Sequence, residues 1–190
     1  MNRRDALSRV GLVLGGTIVG GVAFLEGCSP GVKKSAAGLP LTADQISFLD
    51  EIAETIIPTT NTPGAKAAKV GEFMHVMVTD CYEDKDQKIF IDGMSAIDKI
   101  SEKTHGHGFM KASPEQRTSL LTAVDKEQKS YNSAKKEGDP NHYFTLMKQL
   151  TLLGYFSSEI GATQALRYVA IPGRYEGCIP YKKGDKAWAT

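Results

Sequence analysis

"LTADQISFLDEIAETIIP" (Leu41–Pro58) opens with Thr42 and Gln45 at the spacing of a capping box. In that motif the hydroxyl accepts from the backbone N–H three residues on, and the glutamine reaches back to the first N–H. Ile46, Leu49, Ile52, Ala53, Ile56 and Ile57 then recur at helical spacing. Pro58 ends the run, because proline has no N–H to donate and its ring clashes with the preceding turn. The stretch predicts an amphipathic helix, and the segments after it repeat the pattern.

"TTNTPGAKAAK" is rich in turn formers and predicts a loop. A second helix is expected from about Val70, with Phe73, Met74, Met77, Val78 and Cys81 on one face. A third, from about Asp84 to Lys103, is expected to bury Ile89, Phe90, Met94, Ile97 and Ile100 before "THGHGFM" breaks it. Ser113, Pro114 and Gln116 mark a fourth helix start, with Leu120, Leu121, Val124 and Tyr131 as its apolar edge. A fifth is expected from an Asp139 cap and Pro140 through Tyr155, and a shorter sixth from about Ser157 to Arg167. No stretch combines period-two alternation with hairpin turns. The fold class is therefore all-α, an irregular bundle of about five to six helices with a Pro/Gly/aromatic-rich C-terminal loop.

Ahead of this domain (41–190) lie a signal-like segment (1–27) and a small polar linker (28–40). The first has a basic start and an apolar run from Gly11 to Leu25, shorter than the roughly 20 residues a spanning helix needs. Arg3, Arg4 and Leu7 resemble a twin-arginine export signal, which carries proteins across the membrane already folded. Cys28 follows Leu25-Glu26-Gly27 in the manner of a lipobox, although Glu26 stands where a small neutral residue is usual. Cys28 is thus a candidate lipidation site, with plain cleavage or a retained tether as the other outcomes.

The chain has 23 Lys and Arg against 22 Asp and Glu, and removing the charges of the first segment leaves the two counts equal. No field is left to draw in nucleic acid. With three cysteines and an oxidising destination, Cys81 and Cys178 are candidates for a disulfide with each other or with another chain.

Catalytic groups are scarce. His105 and His107 form H-G-H in a glycine loop, which is two ligands short of a zinc site. Ser157 and Ser158 lack a nucleophile elbow and read instead as helix caps. Asp50 with Glu51, and Glu83 with Asp84, read as solvated surface. No dinucleotide, c-haem or metal motif is present, so the chain itself is read as non-catalytic and without a cofactor.

The last segment, "YVAIPGRYEGCIPY" (Tyr168–Tyr181), is neither regular helix nor central strand. Its aromatics and Arg174 are the residue types enriched at binding hot spots. Either it wraps its own bundle or it touches another protein. A free-standing periplasmic or lipid-anchored binding protein is the alternative reading of the whole chain.

The twin-arginine start, "EIAETIIPTTNTPGAKAAKVGEFM" and above all "LTLLGYFSSEIGATQALRYVAIPGRYEGCIPY" resemble the gluconate 2-dehydrogenase subunit 3 family, from about Leu41 to Tyr181. That resemblance implies a small subunit accompanying an FAD-bearing catalytic subunit of the glucose–methanol–choline type, often with a cytochrome c subunit that carries haem. It implies escort through the twin-arginine translocase to the periplasmic face of the inner membrane, where the signal or a lipid would hold the complex. On this expectation Tyr155, Phe156, Tyr168, Arg174, Tyr175 and Tyr181 bind the partner.

Overall fold

The computed structural model describes residues 41–171, 173–174 and 177–189. The candidate export residues Arg3, Arg4 and Leu7, the candidate lipidation site Cys28 and the expected anchor Tyr175 lie outside the described residues. Five α-helices carry the domain: α1 (Ala43–Ile56), α2 (Val70–Cys81), α3 (Asp84–His105), α4 (Pro114–Ala134) and α5 (Tyr143–Ser157). A 3-10 turn (Phe109–Lys111) links α3 to α4, and a π-turn (Gly161–Ala165) follows α5. Among the described residues the only strand-like feature is a one-pair bridge between Arg167 and Trp188.

Both capping boxes form. Thr42 N–H donates to Gln45 Oε1 at 2.9 Å, and Ser113 N–H to Gln116 Oε1 at 2.8 Å. Each satisfies N–H groups that the first helical turn leaves without partners. Helix α2 begins differently. Its N-cap is Lys69 in the left-handed region (φ 55°), with no side-chain cap. Asp50 of α1 supplies what is missing by accepting from Gly71 N–H at 2.8 Å. A Cβ at residue 71 would meet Ile46 O at 2.7 Å, so glycine is what lets α1 and α2 approach this closely.

The core gathers Leu49 and Ile52 of α1, Val70 and Met74 of α2, Phe90 and Ile97 of α3, Leu120 and Val124 of α4, and Phe144, Met147 and Leu150 of α5. Phe109 plugs the α3–α4 end, with its ring 5.2 Å from that of Phe48. Helix α5 packs against each of α1, α2, α3 and α4 and is the centre of the bundle. Gly93 of α3 lets it approach, because a Cβ there would lie 2.4 Å from Tyr143 Cβ.

Four expectations are corrected. Helix α3 runs to His105, where Gly106 at φ 78° provides the left-handed cap. Asp139 does not cap α5. It closes the preceding turn by accepting from Lys136 N–H, and His142 Nδ1 caps α5 by accepting from Phe144 N–H at 3.2 Å. Burial lowers the His142 pKa despite nearby Glu127, which keeps that nitrogen available as an acceptor. The sixth helix is only the five-residue π-turn. Cys81, expected on the apolar face of α2, is exposed.

Candidate partner-docking face

The sequence "LTLLGYFSS" at the end of α5 is apolar on more than one side. Leu150, Thr151, Gly154 and Tyr155 turn inward. Gly154 lies under the Phe73 ring, which would come within 2.6 Å of a Cβ. Leu152, Leu153 and Phe156 sit on the opposite side, with Leu153 52% and Phe156 41% exposed. A surface helix ordinarily carries polar residues there. Among the described residues the central helix of the bundle thus presents an exposed apolar face, the kind of patch that marks an interaction site.

Tyr155 is not part of that face, which corrects its expected role as an anchor. It is only 2% exposed, and its hydroxyl donates to Pro63 O at 2.8 Å. The bond ties α5 to the loop between α1 and α2. Its neighbour Phe156 meets it edge-on at 5.2 Å and remains at the surface.

Beyond α5 the backbone turns sharply. Ser158 Oγ donates to Tyr155 O at 2.6 Å and accepts from Gly161 N–H at 3.0 Å, so this serine caps the turn as its position suggested. A Cβ at residue 161 would lie 1.9 Å from Tyr155 O, which leaves room only for glycine. The tail then exposes Tyr168, Val169, Ile171, Ile179 and Tyr181, the last at 78%. Arg174 lies at the surface among them. Cys81 and Cys178 are both free and exposed, so the bridge between them that the sequence allows is not formed here.

The loop from Pro58 to Lys69 is held by a residue the sequence reading passed over. The Glu54 carboxylate accepts from Thr59 N–H (2.9 Å), Thr59 Oγ1 (2.8 Å) and Lys66 N–H (2.9 Å). Gly64 sits against that carboxylate, within 2.4 Å of where a Cβ would stand. One turn earlier, Glu51 pairs with both Lys66 and Arg117. Arg117 also donates to Phe109 O (3.1 Å) and Met110 O (2.8 Å) and lies over the Phe109 ring.

Asp50 and Glu51 are therefore fold-holding groups rather than the solvated pair expected. Burial raises the Asp50 pKa, only partly offset by the Gly71 N–H and Lys66. Burial also pushes Glu51 up, but Lys66 and Arg117 outweigh it and hold that carboxyl below its ordinary value.

A cleft of about 700 Å³ between the start of α1, α3 and the glycine loop is lined by Phe48, Met94, Asp98, Glu102 and His107, among others. The His105 and His107 rings stand 6.2 Å apart. Among the described residues no group of three or more His, Cys, Asp or Glu is placed to hold a metal ion. Among the same residues no helix is long and apolar enough to cross a membrane.

These features define an all-α bundle whose central helix and tail carry exposed apolar side chains among the described residues. Residues 43–173 match the family model described as gluconate 2-dehydrogenase subunit 3, and the chain belongs to that family. Its members are subunits of a dehydrogenase complex. Comparison with curated proteins and with solved structures gave no match.

Proposed function

We propose that this chain is the non-catalytic small subunit that binds, stabilises and escorts an FAD-dependent dehydrogenase of the glucose–methanol–choline type. The observation that carries the reading is the outward face of α5, where Leu152, Leu153 and Phe156 lie exposed on the helix that every other helix packs against. A monomer gains nothing from keeping such side chains in water, whereas a subunit covers them on assembly. Exposed Tyr168, Ile171 and Tyr181 extend the apolar surface along the tail, with Arg174 as a charge to orient the partner.

The flavin sits in the partner, and a third, cytochrome c subunit with haem takes its electrons. The twin arginines Arg3 and Arg4 carry the folded pair through the translocase to the periplasmic side of the inner membrane. There the signal segment, or a lipid on Cys28, keeps it. A partner that folds around FAD in the cytoplasm needs this route, because unfolded export would lose the cofactor.

The test is capture of a glucose–methanol–choline-type flavin oxidoreductase from the native host, comparing the wild-type chain with the double variant Leu153→Gln with Phe156→Gln. Each hot-spot side chain contributes about 2 kcal/mol or more, so the double variant is expected to weaken binding by a factor of about 1,000. Wild-type capture by the double variant would remove the α5 face from the interface and with it the support for this reading.

A further inference from the structure

Arg167 and Trp188 close the tail upon itself, and Trp188 lies beyond the family-matched segment, which ends at residue 173. Arg167 N–H donates to Ala187 O at 2.8 Å, and Ala189 N–H returns to Arg167 O at 2.9 Å. The Arg167 guanidinium lies over the Trp188 indole, 4.5 Å from its ring centre, and Nη2 donates to Lys186 O at 3.2 Å. The Lys186 ammonium reaches Gln164 O in the π-turn. A tight turn precedes this knot, with Lys182 N–H donating to Asp185 Oδ2 at 2.9 Å and Gly184 at φ 97°.

None of these contacts covers the core of the bundle, since Trp188 itself is 49% exposed. They join the chain at residue 167 to residues 186–189, so that residues 179–181 lie within a closed segment. The closed tail walls a cleft of about 540 Å³, lined by Ile179, Pro180, Tyr181 and Trp188 together with Arg167 and Asp185. Ile179, Pro180, Tyr181 and Trp188 give it apolar walls that suit an apolar side chain, beside the charged Arg167, Asp185 and Lys186. A segment ordered before association spares the complex the entropy of ordering it afterwards.

We propose that the Arg167–Trp188 pair is a clasp that preorganises Ile179, Tyr181 and this cleft to receive an apolar side chain of the dehydrogenase chain. The proposal rests on the interface reading above. It assigns Arg167 and Trp188 as positioning residues for that interface.

Trp188 is the only tryptophan in the chain, so both its fluorescence and its replacement report on the clasp. In the full chain, Trp188→Ala is expected to speed tryptic cleavage after Lys182 and Lys183 about three- to tenfold, the range of an exposed cation–π contact with its attached hydrogen bonds. The melting temperature of the bundle stays unchanged. Trp188→Phe keeps an aromatic face under Arg167 and retains most of the protection. Arg167→Ala shifts the tryptophan emission toward that of a solvated indole. Affinity for the flavoprotein captured by the wild-type chain falls about threefold or more in Trp188→Ala and recovers in Trp188→Phe.

Cleavage of Trp188→Ala at the wild-type rate would overturn the clasp. Faster cleavage with unaltered capture would overturn its part in docking. A wild-type chain that is protected by Trp188 yet captures no flavoprotein would instead contradict the interface reading.

Discussion

Tyr155 and its neighbours on α5 offer a sharp separation of folding from binding. Tyr155→Phe keeps the ring in its buried place and removes only the hydroxyl that donates to Pro63 O. A carbonyl left without its donor costs about 1–3 kcal/mol when fully buried. Pro63 is only partly buried, so water recovers some of this and the expected loss is about 1–1.5 kcal/mol. For a domain of this size that corresponds to a drop of about 2–6 °C in melting temperature. The bond anchors the loop next to Gly64 and Ala65, so hydrogen exchange at those two amides should rise with it. Capture of the flavoprotein should stay within about twofold, because the outward face is untouched. Leu153→Gln, two residues before Tyr155 and on that outward face, should do the reverse: Gln matches Leu in helix propensity, so stability stays within about 1 kcal/mol while capture weakens. Unchanged melting in Tyr155→Phe, or a loss of capture as large as that of Leu153→Gln, would refute the division of roles.

Two other outcomes follow from the same structure. Glu51 has its carboxyl held below the ordinary 4.5 by Lys66 and Arg117, so its contribution is present above about pH 4.5 and is lost as pH falls through the folded value. Glu51→Gln should melt below wild type at neutral pH, and the gap should narrow as pH falls below the ordinary carboxyl value of 4.5; a gap that stays constant with pH would show that the ion pairs are not its source. Changing Arg3 and Arg4 to lysine should leave both this chain and its flavoprotein in the cytoplasm on cell fractionation, and a periplasmic flavoprotein in that variant would show that it travels by itself.

Much of the helical scaffold was legible from local signals. The boxes at Thr42–Gln45 and Ser113–Gln116 and the apolar periodicity of α1, α3 and α4 act within a few residues, and the structure reproduces them. Errors arose where distant groups decide. The start of α2 at Val70 is where the sequence places it, but the group that caps it, Asp50, comes from another helix and no local pattern points to it. Asp139 followed by Pro140 mimics a helix start, yet the carboxylate is spent on a turn and a histidine does the capping.

The candidate interface was half legible. An aromatic looks the same in sequence whether it faces in or out, so Tyr155 and Phe156 were grouped although the helix turns them to different sides. The heptad-like positions of Leu152, Leu153 and Phe156 opposite Leu150 and Gly154 carried the missing information: α5 has apolar residues on both sides. Glu54 and Arg117 were hidden because their partners lie across loops or on other helices. Trp188 carries no signal in the sequence, because a lone aromatic near a charged tail shows nothing until Arg167 is brought over its ring.

The central claim is that this subunit is completed by a flavin-bearing chain. The most direct measurement is gentle purification of the wild-type chain from its native membranes, followed by identification of its companions and a visible absorption spectrum. A flavoprotein in fixed ratio and a yellow preparation are the expected result. A colourless, monodisperse and solitary chain would contradict it.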